Sequence, residues 1–171
     1  MPVQTDDTET DTPLLFGRVL DGQGGGRPIL WDEAKQWRPG APGEVLWLHL
    51  CRNRPGVQDW LENALSIPEP TAELLTSDET RPRAFREGEA LVATLRGINF
   101  NPGAEPEDMI SMQVWSDGER LITLRRHPLQ TPRDVLAQVD RGNGPPDAGA
   151  AITLLAELLI GRMSQSIVDM N

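Results

Sequence analysis

His49 and Cys51 stand two apart in the run Val45-Leu46-Trp47-Leu48-His49-Leu50-Cys51, and on a strand that spacing puts both side chains on one face. An imidazole and a thiolate there could supply two of the four ligands of a tetrahedral zinc ion. The other two would have to come from His127 and unspecified carboxylates, so a place in a packed core is the plainer reading of the pair. Glu105, Glu107 and Asp108 follow Pro102-Gly103 and could hold a hard cation or share acid–base work. Their spacing is not that of a calcium loop, and a loop that simply keeps its acids in water is the plainer reading. These five residues are the candidate metal ligands. No residue is assigned a catalytic role. The sequence contains neither a Gly-x-Ser-x-Gly elbow nor a zinc-protease helix motif, and an enzyme is not expected. An enzyme would need a pocket joining His49, Cys51 and the acids of 105–108. Met109, Met112, Met163 and Met170 fall at strand and helix spacing and read as core filler before they read as soft-metal ligands.

The elements that must position these residues follow from periodicity. Leu14 to Leu20 is a short apolar strand ended by Asp21-Gly22-Gln23-Gly24-Gly25-Gly26. Arg27 stands where a dinucleotide fingerprint needs its third glycine, so this is a plain loop. Val45 to Leu50 is apolar on both faces, as an interior strand is. Val57, Trp60, Leu61, Ala64 and Leu65 then mark an amphipathic helix, and Ala72, Leu74 and Leu75 a second, short one. Glu89 to Phe100 predicts another interior strand, with Arg96 its one awkward member. Ile110 to Trp115 and Leu121 to Arg126 flank Ser116-Asp117-Gly118-Glu119, which predicts a hairpin. Thr131 as N-cap, Pro132 at the first helical position and Asp134 three residues on start a helix that Gly142-Asn143-Gly144-Pro145-Pro146 ends. Asp147 can cap a final helix whose stripe of Ile152, Leu155, Leu159, Met163, Ile167 and Met170 is still running at Asn171.

Composition narrows the classes. The 171 residues suffice for one domain with a sizeable core. A single cysteine rules out an internal disulfide. Net charge is −10, and setting aside Asp6, Asp7, Glu9 and Asp11 of the acidic first dozen residues still leaves −6, a field that repels phosphate backbones. Nucleic acid is therefore not an expected partner. The longest apolar run, residues 149–161, is interrupted by Glu157 and is shorter than the roughly 20 residues a membrane helix needs.

Thr80-Arg81-Pro82-Arg83, then Leu95-Arg96-Gly97-Ile98-Asn99-Phe100-Asn101-Pro102-Gly103-Ala104 and Glu107-Asp108-Met109 form a series that resembles the CorA divalent-cation transporters, in their ZntB-type zinc branch. The order of Asp21-Gly22-x-Gly24-Gly25, Trp47-Leu48-His49-Leu50, Gln58-x-Trp60-Leu61, Asp117-Gly118 and Gly142-x-Gly144-Pro145-x-Asp147 extends the resemblance over residues 14–165. The resemblance implies a three-layer α/β/α domain with a mixed central sheet over residues 13–146. The acidic, polar residues 1–12 read from composition as a disordered tail, and the resemblance further implies, at 147–171, a helix leading into a stalk and two transmembrane helices absent from this chain. It also implies a soluble cytoplasmic fragment of a homopentamer at the inner membrane, joined to that membrane only through the absent helices. The cytoplasmic domains would form an acidic funnel that regulates passage of zinc or magnesium, the cation being cargo or regulator and no further cofactor being required. Gly97-Ile98-Asn99 spells the family's pore signature but follows Arg96 in a predicted strand, so it is read as scaffold. The alternative is a stand-alone acidic interaction module that binds a partner through its last helix.

Overall fold

Runs of β-branched and large apolar residues, punctuated by glycine and proline, become, among the described residues, seven strands and five helices in the computed structural model. It describes residues 12–98, 103 and 109–169, and all their side chains except those of Ile98 and residues 162–169. In chain order these are β1 (Leu14–Leu20), β2 (Gly26–Pro28), α1 (Trp31–Ala34), β3 (Val45–Cys51), α2 (Val57–Ala64) and α3 (Glu69–Leu75). They are followed by β4 (Arg83–Glu87), β5 (Ala90–Ile98), β6 (Met109–Ser116), β7 (Arg120–Arg125), α4 (Gln130–Asp140) and α5 (Ala148–Asp169). One sheet holds all seven strands in the order β2-β1-β3-β7-β6-β5-β4. Its only parallel pair among the described residues is β3 with β7, from Leu46 opposite Arg120 to Cys51 opposite Arg125; the rest are antiparallel. The sheet is mixed, as expected.

Alternation along the strands divides the core in two. Val45 and Trp47 of β3 point to a face shared with Phe16, Met112 and Val114, and α4 and α5 cover it through Val135, Val139, Leu155 and Leu159. Leu46, Leu48 and Leu50 point to the other face, which α1, α2 and α3 cover through Ala34, Val57, Leu61 and Leu75. Every residue of β3 is buried, which is what a strand apolar on both faces requires. Helices lie on both sides of one sheet, so the architecture is the three-layer α/β/α arrangement. β5 has partners on both edges, and Arg96 near its end is exposed, which is how a charged residue fits there. Met112 is core filler.

The hairpin forms at the predicted place. Asp117 Oδ1 accepts from the amides of Glu119 (3.0 Å) and Arg120 (2.8 Å), and Gly118 takes φ +96°. Asp147 Oδ1 accepts from Ala150 N at 2.7 Å and caps α5. One cap differs from expectation: α4 begins at Gln130 with Leu129 as N-cap, so Thr131 and Pro132 lie inside the first turn. Burial of Leu129 and Thr131 draws that turn onto the sheet, and the first helical amides have no partner to lose, so proline fits at the third position as well as the first. The short β2 and the exposed β4 carry no apolar alternation, and neither is foreseeable from pattern.

The two glycine-rich loops meet. Gly144 N donates to Gly24 O at 2.7 Å, and a Cβ built on Gly24 would sit 2.7 Å from Gly142 O while Gly24 itself takes φ +98°. Gly43, at φ +86°, has open space around its missing Cβ. Gly24→Ala is therefore expected to cost about 1–3 kcal/mol from strained backbone plus the additional clash. Gly43→Ala should cost only the backbone part, and urea midpoints that rank the two variants the other way would contradict the close-approach argument.

Candidate functional site

His49 Nδ1 lies 2.8 Å from Thr123 Oγ1, and the same hydroxyl accepts from Trp47 Nε1 at 3.1 Å. Thr123 in turn reaches Leu48 O at 3.4 Å, so all three groups are satisfied when His49 carries its proton on Nδ1. The ring tilts against Phe16 with centroids 5.0 Å apart. Burial, then the charges of Arg125 and Arg133, hold the imidazole well below its ordinary pKa, so it is neutral in the folded protein. Cys51, buried at the end of the same strand, donates its thiol to Asn53 Oδ1 at 2.8 Å. Both side chains thus have partners of their own, Thr123 on β7 for His49 and Asn53 in the turn after β3 for Cys51. His127 is exposed beyond the end of β7. Glu105, Glu107 and Asp108 lie outside the described residues. Among the described residues no three His, Cys, Asp or Glu side chains gather closely enough to hold a metal ion.

The carboxyl ends of β3 and β7 are basic instead. The chain leaves β3 for α2 on one face and leaves β7 for α4 on the other, so a crevice opens between the two ends. Arg52, just past β3, is nine-tenths buried; its Nη1 donates to Thr76 O at 2.8 Å and its Nη2 pairs with the carboxylate of Asp78. Arg126, just past β7, donates Nη1 to the same carboxylate at 3.0 Å. Burial and the neighbouring Arg126 push Arg52 below its ordinary pKa. Sequence reasoning missed this cluster because Arg52, Asp78 and Arg126 share no local pattern; only the parallel pairing brings them together.

The segment after Asp78 is held to the sheet by a buried polar chain. Thr94 Oγ1 donates to Gln113 Oε1 at 2.6 Å, and Gln113 Nε2 donates to Glu79 O at 3.1 Å. Arg81 clasps the Glu79 carboxylate and takes its pKa down to about 2. At the other side of the sheet α5 rests on Gly97, where an added Cβ would lie 2.9 Å from Leu159 Cδ2. Beside that contact Pro82, Leu95, Ala156 and the exposed Ile160 line an apolar groove of about 240 Å3. Among the described residues no helix is long and apolar enough to cross a membrane.

The model of the CorA-like Mg2+ transporter protein family matches residues 42–171. The divalent cation transporter CmaX of Pseudomonas aeruginosa is 41% identical over 155 residues, covering 90% of this chain and 46% of that protein. The zinc transport protein ZntB of Pectobacterium atrosepticum is 33% identical over 153 residues, covering 89% of this chain and 45% of that protein. The chain thus spans about half the length of these relatives. Among solved structures, full-length CmaX superposes with TM-score 0.85 at 39% identity, over 92% of this chain and 48% of the other. The ZntB cytoplasmic domain of Vibrio parahaemolyticus superposes with TM-score 0.80 at 23% identity, over 92% and 62%, a likeness of fold.

A neutral buried imidazole binds fewer protons folded than unfolded once the pH drops below about 6.5, the ordinary histidine value. The stability tied to His49 is therefore fully present above that pH and declines as the pH falls. Urea midpoints measured from pH 7.5 down to 5 should decrease, and His49→Gln, which keeps a polar partner for Thr123, should flatten that decrease. An unchanged pH profile in the variant would assign the effect elsewhere.

Proposed function

The chain belongs to the family of CorA-like Mg2+ transporter proteins, and on that premise we propose that it forms the cytoplasmic domain of a divalent-cation transporter carrying zinc or magnesium. The observation that supports this most is the 41% identity to CmaX, which runs through nine-tenths of the chain, both glycine loops and the start of α5 included. On this reading residues 1–12 are an acidic tail, 13–146 the α/β domain, and 147–171 a helix leading toward stalk and membrane. The assembly is a homopentamer at the cytoplasmic face of the inner membrane. Its funnel carries the −10 charge of each copy, which concentrates divalent cations near the pore. Cation occupancy there biases passage of further ions. No resident cofactor and no chemical step are involved.

Among the candidate ligands, the oxygen donors Glu105, Glu107 and Asp108 suit a hard cation such as magnesium. His49 and Cys51 are the less suited pair, since each already has a hydrogen-bond partner, Thr123 and Asn53 respectively. A second reading, a stand-alone module that binds a partner through its last helix, is favoured by one observation: Ile160 of α5 is exposed beside an apolar groove.

Cation entry into vesicles separates the readings. The chain extended through its downstream reading frame and reconstituted around a zinc- or magnesium-sensitive dye should admit one of the two ions. Replacing Glu105, Glu107 and Asp108 together by alanine should change the rate at low external cation. Vesicles no more permeable than protein-free ones to either ion would remove the transporter reading and leave the interaction module.

A further inference from the structure

We propose that the cleft at the carboxyl ends of β3 and β7 is a binding site for a phosphate dianion, free or esterified to a small organic group. The cleft has a volume of about 280 Å3 and is lined by Arg52, Asp78, Thr80, Ser111, Arg126 and His127. Three independent features converge on it. The first is topology: adjacent parallel strands whose following helices go to opposite faces leave a crevice outside their carboxyl ends, the usual ligand position in open α/β sheets. The second is charge. Two guanidiniums face one carboxylate, so Asp78 balances only one of them, whereas a dianion balances both.

The third is the way the groups are held. The Arg52 side chain, nine-tenths buried, is oriented by its bond to Thr76 O and forms a fixed half of the cleft, while the Asp78 carboxylate is two-thirds exposed to solvent. Asp78 is thus an internal stand-in for the ligand. Arg126, half-exposed, is the arm that closes over it. The hydroxyls of Thr80 and Ser111 and the ring of His127 add further donors to a tetrahedral oxyanion. A guanidinium presents its donors as a planar fork that matches phosphate oxygens two at a time, which a single ammonium cannot do. The volume admits inorganic phosphate or a small monoester and is below the range typical of sites that enclose larger ligands.

The test is a titration of the intact chain, followed by 31P resonance broadening at constant ionic strength held with chloride, using inorganic phosphate in one arm and glycerol phosphate in the other. Saturable binding is expected in at least one arm, and the arm that binds more tightly identifies the free or the esterified source. Arg126→Ala should weaken binding by roughly tenfold or more, the loss of one charge-assisted contact. Asp78→Asn should tighten it several-fold by removing the competing carboxylate. Circular dichroism confirms that each variant is folded. No saturable binding in either arm, or binding indifferent to Arg126→Ala, overturns the proposal.

Discussion

The pairing of β3 with β7 in parallel is the constraint on which the rest of this domain depends. Among the described residues all other neighbours in the sheet are antiparallel, and hairpins or short connections can bring such strands together; a parallel pair needs a long crossover. Here the crossover is everything from α2 to β6, most of one helical layer and the other half of the sheet. Seven buried residues on β3 supply the driving force, and the direction is fixed by a polar device inside the apolar layer: Thr123 on β7 meets Trp47 and His49 on β3. A slip of one residue would turn the hydroxyl to the opposite face and strand both ring nitrogens without partners.

From that pairing the two cores follow. Once β3 is central, its alternating side chains must be covered on both faces, and the amphipathic helices distribute themselves accordingly, α1 to α3 on one side, α4 and α5 on the other. The crevice at the strands' carboxyl ends is a by-product of the same arrangement. It collects charged residues from three separate segments, and the largely buried Arg52 side chain keeps its charge there beside the Asp78 carboxylate.

The sequence made some of this legible and hid the rest for identifiable reasons. Strand β3, helix α2 and the hairpin at Asp117-Gly118 were readable because their information is local: alternation, a 3.6-residue stripe, a glycine with positive φ. Strands β2 and β4 were not, because exposed edge strands carry no apolar pattern and exist only through their neighbours. The start of α4 shifted because burial of Leu129 outweighed the capping signal at Thr131. His49 and Cys51 looked like a metal pair by type and spacing; the structure supplies what spacing could not, namely that Thr123 and Asn53 wait beside them. The basic cleft is a tertiary juxtaposition, beyond the reach of any window on the chain.

The meeting of the two glycine loops has a bearing on how the domain is made. Gly24 belongs to the first hairpin, Gly144 to the turn that launches α5, and their backbones touch with no side chain between. During synthesis the first loop emerges early and must wait, unpaired, until nearly the whole domain has followed. Closing so long a stretch of chain is an entropically late event. That contact therefore couples the launch of α5 to the first hairpin, so two segments far apart along the chain are fixed in one step.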